Sequence, residues 1–239
     1  MDIKIKKTLE QYGIDVNSNQ EEQLKEYMLS ILEYNKNINL TAITDPEEFV
    51  IKHYVDSLTP LMEKDIIDEL DRNVERVLDL GTGGGFPGVP MAIMLPEKKF
   101  TLLDSLNKRL KIIDEISSRI AVNNIKTLHG RAEDGGRNPE ERENYDLCLS
   151  RAVSHMAVLA EYALPFVKKG GMFIAYKGWD IDEEMSESQE AIERLGGKVE
   201  GIRETVTNEK LVIIRKMRKT PSKYPRKAGE PKKNPIGIK

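Results

Sequence analysis

Residues Val77–Pro90 read VLDLGTGGGFPGVP. Five of the eight positions from Gly81 to Gly88 are glycine, an aspartate stands just ahead at position 79, and a Phe-Pro pair interrupts the run. The flanking RVLDL is a short apolar strand, and VPMAIML beyond the glycines is helical in character as far as Pro96. Gly83-x-Gly85-x-x-Gly88 therefore fits G-x-G-x-x-G between a strand and a helix, the turn in which missing side chains let backbone approach a nucleotide cofactor. Asp104 closes the next strand, KKFTLLD, about 20 positions further on, where an acid receives ribose hydroxyls. NAD, FAD and S-adenosylmethionine (SAM) sites share all of this, so the glycines alone do not choose among them.

Two details favour SAM. A dinucleotide site brings pyrophosphate to this turn, and the Asp79 carboxylate would repel it. The ammonium of a methionine moiety is instead supported by a nearby carboxylate network. Asp79 has a plainer reading as a brace that accepts backbone amides of the turn. The second detail lies at the far end of the chain. KVEGIRETV and KLVIIRKM are strand-like runs separated only by TNE. A parallel crossover needs a dozen or more residues, so this pair must be an antiparallel hairpin.

Between the two lie alternating strands and helices: KRLKIIDEISSRIAV (helix), IKTLHG (strand), YDLCLS (strand), SHMAVLAEYALPFVKKGG (helix), MFIAYKG (strand) and DEEMSESQEAIERLGG (helix). Short connections in such an alternation predict a parallel sheet covered on both faces. A reversed strand added to a parallel sheet resembles class I SAM-dependent methyltransferases more than dinucleotide dehydrogenases. The predicted fold is thus α/β, a Rossmann-like sheet of that class, mostly parallel with a C-terminal antiparallel hairpin, plus a helical N-terminal extension. Residues 1–72 form the helical portion, with a Ser18-to-Glu21 capping-box spacing and Thr44 or Asp45 capping a helix that starts at Pro46. Residues 73–218 form the cofactor-binding domain. Residues 219–239 hold four prolines without periodicity and read as an extended tail rather than a folded element.

Composition narrows the partners. The net charge of −3 conceals an asymmetry: Arg215 onward holds ten Lys/Arg against one acid, Glu230, while the rest holds 27 bases against 39 acids. An acidic body with a basic tail suggests a polyanionic partner, although such tails also serve solubility. No run of about 18 apolar residues exists to span a membrane, and the N-terminus lacks the apolar stretch and cleavage site of a secretory signal. The single cysteine, Cys148, excludes an internal disulfide and a cysteine-based zinc site. A cytoplasmic monomer is the expectation.

Strand ends locate further candidates, because open α/β sheets bind ligands there. Ala132 and Glu133 follow the third strand, where methyltransferases commonly hold adenine; the alternative for Glu133 is a surface helix-capping acid. Ser150, Arg151 and Ala152 follow the fourth, where the methyl acceptor is usually met, although Arg151 could serve a local salt bridge. The Asp/Asn-Pro-Pro-aromatic motif of amino-methylating enzymes is missing there. Cys148 sits among apolar neighbours that suit an inert core thiol better than a nucleophile. His53, His129 and His155 are scattered, and no metal-ligand set is visible. What remains is chemistry without a strong base. Guanine N7 fits, since its lone pair attacks a sulfonium methyl without losing a proton, and alignment with charge support suffices.

NLTAITDPEEFVIKHYVDSL, VLDLGTGGGFPGVP, GRAED, LSRAV, AYKG and KYPRKAGEPKKNP together resemble the bacterial 16S rRNA guanine-N7 methyltransferase family, RsmG, also called glucose-inhibited division protein B. The similarity runs from about residue 35 to the tail, in the same order and spacing. The resemblance implies SAM as donor and a guanine in the 530-region loop of small-subunit rRNA as acceptor. It implies Gly81, Gly83, Phe86, Asp104, Ala132, Glu133 and Arg151, beside Asp79, as cofactor-facing residues. Phe86 reads otherwise as a plug of the turn. Arg151 and Lys177 fall on the acceptor side as candidate catalytic residues, with Lys177 readable also as a solvated strand-end lysine. Lys223, Tyr224, Arg226 and Lys227 set an aromatic ring amid positive charge, which suits a single-stranded RNA loop; a solvated tail is the alternative. Three rival functions stay open: a methyltransferase for a small molecule or protein, a dinucleotide-dependent oxidoreductase, and a non-catalytic RNA-binding or ribosome-assembly protein.

Overall fold

A computed structural model describes residues 4–151 and 154–238. The N-terminal portion forms α1 (Ile5–Gln11), α2 (Ser18–Asn35), then a continuous run of α3 (Pro46–Phe49), a π-helical turn (Val50–Val55) and α4 (Asp56–Leu58), and finally α5 (Lys64–Asn73). Asp45 caps α3 through the Glu48 amide, 2.9 Å away, as the Pro46 signal predicts. The capping box of α2 lies one residue earlier than expected. Asn17 and Gln20 exchange the two bonds, at 2.9 and 3.0 Å, because Asn17 holds the extended backbone that a cap requires.

Strand and helix then alternate: β1 (Arg76–Leu80), α6 (Gly88–Met94), β2 (Lys99–Asp104), α7 (Asn107–Arg119), β3 (Ile125–His129), α8 (Ala132–Gly135), β4 (Tyr145–Ser150), α9 (Met156–Ala163), β5 (Val167–Lys177), α10 (Asp182–Arg194), β6 (Gly197–Glu204) and β7 (Lys210–Lys216). Among the described residues the sheet has seven strands in the order β3-β2-β1-β4-β5-β7-β6. β1 to β5 pair in parallel, and β7 runs antiparallel to both β5 and β6, as the hairpin argument requires.

Side chains alternate across the sheet and divide the core in two. Leu78, Leu80, Leu103, Cys148, Phe173 and Ile214 face a layer with Leu159 of α9 and Ile192 of α10. Val77, Leu102, Leu147, Leu149, Ile174 and Ile213 face the other, where residues of α6 and α7 join Ile5, Leu24, Tyr27 and Tyr54 from the N-terminal helices. The N-terminal portion thus packs into the sheet's own core.

The tail departs from the extended segment expected of it. Tyr224 and Ile236 are buried with the α9 and α10 layer, and Glu230–Lys233 forms a short helix, α11. The prolines and glycines leave few regular backbone bonds, and side chains of the body supply donors instead. Arg142 reaches the carbonyls of Thr220 and Tyr224, each at 2.8 Å, and Arg137 that of Pro225 at 2.7 Å. Those donors lie some 80 residues away in sequence. No described helix is long and apolar enough to cross a membrane.

Candidate active site

The glycine turn serves two masters. Tyr27 of α2 donates to the Gly84 carbonyl at 2.9 Å, and at Gly85, with φ of +91°, an added Cβ would collide with the Tyr27 hydroxyl. A Cβ at Gly88 would lie 2.6 Å from Asp79 Oδ2. These positions are glycine because protein packs against them. Gly81 alone of the five lines the cavity that a cofactor could enter.

That cavity, about 440 Å³, lies at the C-terminal ends of β1, β2 and β3, and its walls include Gly81, Asp104, Arg109, Ala132 and Glu133. The Asp104 carboxylate is buried and accepts the Gly83 amide at 2.9 Å and the Leu106 amide at 2.8 Å, which fixes it over the turn with further lone pairs free. Glu133 Oε1 accepts the Gly229 amide at 2.9 Å, and Gly229 and Lys232 of the tail complete the wall.

Asp79 takes its plainer role. It is sealed from solvent, does not line the cavity, and accepts the Thr82 hydroxyl at 2.6 Å and the Gly88 amide at 2.8 Å. Burial pushes its carboxyl up to about 6, opposed by those two hydrogen bonds. Phe86 likewise stays out of this cavity. Its ring stacks on His53 at 4.2 Å, with Phe49 edge-on at 5.6 Å, and so joins the turn to the π-helical segment.

A second cleft of about 670 Å³ adjoins the first, with Ser154 in the walls of both. Arg151 lines this second cleft rather than the first. Its guanidinium donates to Asp56 Oδ2 at 2.9 Å, to the Lys52 carbonyl at 2.8 Å and to His53 Nδ1 at 2.9 Å, and lies 5.5 Å from the Phe86 ring centre. Burial and the Arg151 charge hold the His53 imidazole down to about 3. It is neutral, accepting at Nδ1 and donating from Nε2 to the Thr41 hydroxyl at 2.6 Å. Lys177 pairs with Glu184 at 2.6 Å and donates to the Ser154 carbonyl at 2.8 Å. Glu209 closes the far side; burial, with Asp56 beside it, raises its carboxyl to about 7.

Lys52, His53, Asp56, Glu184 and Glu209 escaped the sequence reading as site residues. The first three had a signal, since they share one helical face inside a block quoted above. Glu209 had none, because a hairpin turn gives no hint of the strand end beside it. Ala132, Glu133, Asp104 and Gly81 converge as expected, and Gly83 contributes an amide to Asp104. Ala152 lies outside the described residues. Cys148 is fully buried, and burial pushes its thiol well up, as befits a core residue. Of the tail candidates, Tyr224 is buried and Arg226 is bonded to the buried Glu161 carboxylate, at 2.6 Å. The ring therefore has no face free for stacking on a base, and Lys223 and Lys227 remain exposed.

A parallel sheet closed by a reversed strand, with one cavity over the glycine turn and a second beside it, defines a class I SAM-dependent methyltransferase fold. Solved structures of that architecture superpose on the chain. The pyocyanin biosynthetic protein PhzM does so with a TM-score of 0.56 at 14% identity, over 78% of this chain and 61% of that one. The S-adenosylmethionine-dependent methyltransferase SibL gives 0.53 at 14% identity, over 84% and 70%. The family model described as GidB, rRNA small subunit methyltransferase G, matches residues 20–213. Ribosomal RNA small subunit methyltransferase G of Desulforamulus reducens is 45% identical over 239 residues, covering 98% of both chains. The protein of the same name from Lactobacillus johnsonii is 42% identical over 235 residues, covering 96% of this chain and 97% of its own. The chain belongs to the rRNA small subunit methyltransferase G family.

Proposed function

We propose that this protein transfers the methyl group of SAM to N7 of a guanine in the 530-region loop of 16S rRNA. The observation that carries the reading is the pair of adjoining cavities in a chain of this family. One has the fittings of a nucleoside site, and the other is an open cleft with cationic side chains at its wall. In the first, Asp104 would take ribose hydroxyls, Ala132 and Glu133 the adenine, and the Gly81 backbone the region toward the methionine. SAM supplies an electrophilic sulfonium methyl.

The chain's own residues have a modest chemical task. The N7 lone pair forms the new N–CH₃ bond as the S–CH₃ bond breaks, and no proton leaves the base. Alignment and accommodation of a base that becomes cationic are what the site must provide. His53, neutral and held between Arg151 and Thr41, is not placed to act as a proton donor. Arg151 and Lys177, fixed by Asp56 and Glu184, offer donors to phosphate or to guanine O6. The carboxylates that hold them limit the net positive charge near the developing cation. Exposed Lys223 and Lys227 offer phosphate contacts outside the cleft.

The test is methyl transfer from labelled SAM to 16S rRNA and to small subunits from cells lacking the protein, with mass analysis of the modified nucleoside. Labelled 7-methylguanosine is the expected product. SAM binding with no label in either acceptor would redirect the assignment to a small-molecule or protein substrate.

A further inference from the structure

The acceptor cleft has a wall that the transfer chemistry does not use. β7 is antiparallel to β5, with Lys210 opposite Lys177, so the beginning of β7 lies at the edge where β4 and β5 end. Glu209, one residue earlier, therefore enters the cleft from two strands beyond β4, roughly 10 Å away at the usual strand spacing. Behind it stands Asp56, only 2% exposed. Arg151 holds one Asp56 oxygen and the Thr207 hydroxyl the other, each at 2.9 Å. Asp56 is thereby committed to the protein. Protonated Glu209 hydrogen-bonds to it; above about pH 7 that proton is gone and the ionised Glu209 carboxylate lines the cavity.

Guanine has acceptors N7 and O6 on one edge; its N1–H and N2–H₂ donors lie on the Watson–Crick edge, across the ring system from N7, with O6 at the corner between the two. A base with N7 turned toward Ser154, the wall common to both cavities, directs its donor edge toward β7. We propose, resting on the functional reading above, that Glu209 is the residue that selects guanine, its two carboxylate oxygens accepting N1–H and N2–H in a bidentate pair. Adenine presents an unprotonated N1 there and meets repulsion. Arg151 and Lys177 suit the O6 side, so donors and acceptors are divided between the two walls.

The test compares acceptor rRNA carrying guanosine or inosine at the methylated position, ligated from a synthetic segment and assembled into small subunits, at pH 8.5. Inosine keeps N7 and N1–H and lacks only the N2 amino group. The wild-type chain should favour guanosine in kcat/KM by at least about 10-fold, the worth of one hydrogen bond to a carboxylate. Glu209→Gln should lower kcat/KM for guanosine by a comparable factor and bring the guanosine-to-inosine ratio within about twofold. SAM affinity should be unchanged in the variant, since Glu209 does not line the first cavity; this also reports on folding. A residue with a merely structural role would depress both substrates alike. Equal use of both bases by the wild type, or an unaltered ratio in the variant, overturns the proposal. No transfer by the wild type to the guanosine substrate overturns the functional reading, and this proposal with it.

Discussion

Asp79 carries an unusual burden for a carboxylate. It is fully buried, its Oδ1 has no hydrogen-bond partner among the described residues, and its other oxygen holds the turn together. Desolvation raises its pKa from 3.8 to about 6, so folding favours the protonated acid. The sign follows directly: this stabilisation is complete below the unfolded value and is lost as pH rises through about 6. Between pH 8 and pH 5 the group should add about 1.4 kcal/mol to stability. Asp79→Asn keeps an oxygen for Thr82 and Gly88 and removes the titration. Urea unfolding at several pH values should therefore show wild-type stability, taken relative to the variant, falling by that amount between pH 5 and pH 8. A pH-independent difference would count against the shift.

The tail is an element held by borrowed partners. Arg226 donates three side-chain bonds and its backbone amide to Glu161, which is 1% exposed on α9. Three residues later Gly229 reaches Glu133 in the cofactor cavity. Arg226→Ala strands a buried carboxylate and should cost about 3 kcal/mol. Loosening this wall should also weaken SAM binding several-fold, read by calorimetric titration. Pairing the change with Glu161→Leu should recover much of the stability, since an apolar replacement removes the unpaired charge. Stability lost without any effect on SAM would mean that the tail is a brace and not part of the site.

Across the molecule, the cleft proposed for the acceptor belongs to no single segment. The N-terminal helices bring Lys52, His53 and Asp56, β4 and β5 bring Arg151 and Lys177, and the hairpin brings Glu209. On the proposed function the acidic body would confine RNA attraction to the basic end, where Lys223, Lys227, Lys232 and Lys233 are exposed. Replacing Lys223 and Lys227 with alanine should reduce the slope of log affinity against log salt by about 1.5, uniformly across RNA sequences. SAM affinity should stay as it is. A slope that does not move would place the phosphate contacts elsewhere.

The cavity proposed for the cofactor was legible in the chain because its residues lie at or after strand ends, and local periodicity marks where strands end. Gly81 directly follows β1, Asp104 ends β2, and Ala132 and Glu133 come within four residues of the end of β3; the closing hairpin betrayed itself by the shortness of its loop. The capping residue of α2 was misplaced by one position for the opposite reason, since several polar residues there could cap and backbone geometry chose. Long-range pairing settled the rest. Why Gly85 and Gly88 are glycine depends on Tyr27 and Asp79, which no spacing rule connects to them. The tail reads as solvated until Arg137, Arg142 and Glu161 are seen beneath it. Periodicity reports which face of an element is apolar; it carries no record of which distant polar group meets a backbone carbonyl, and that meeting exists only once the chain is packed.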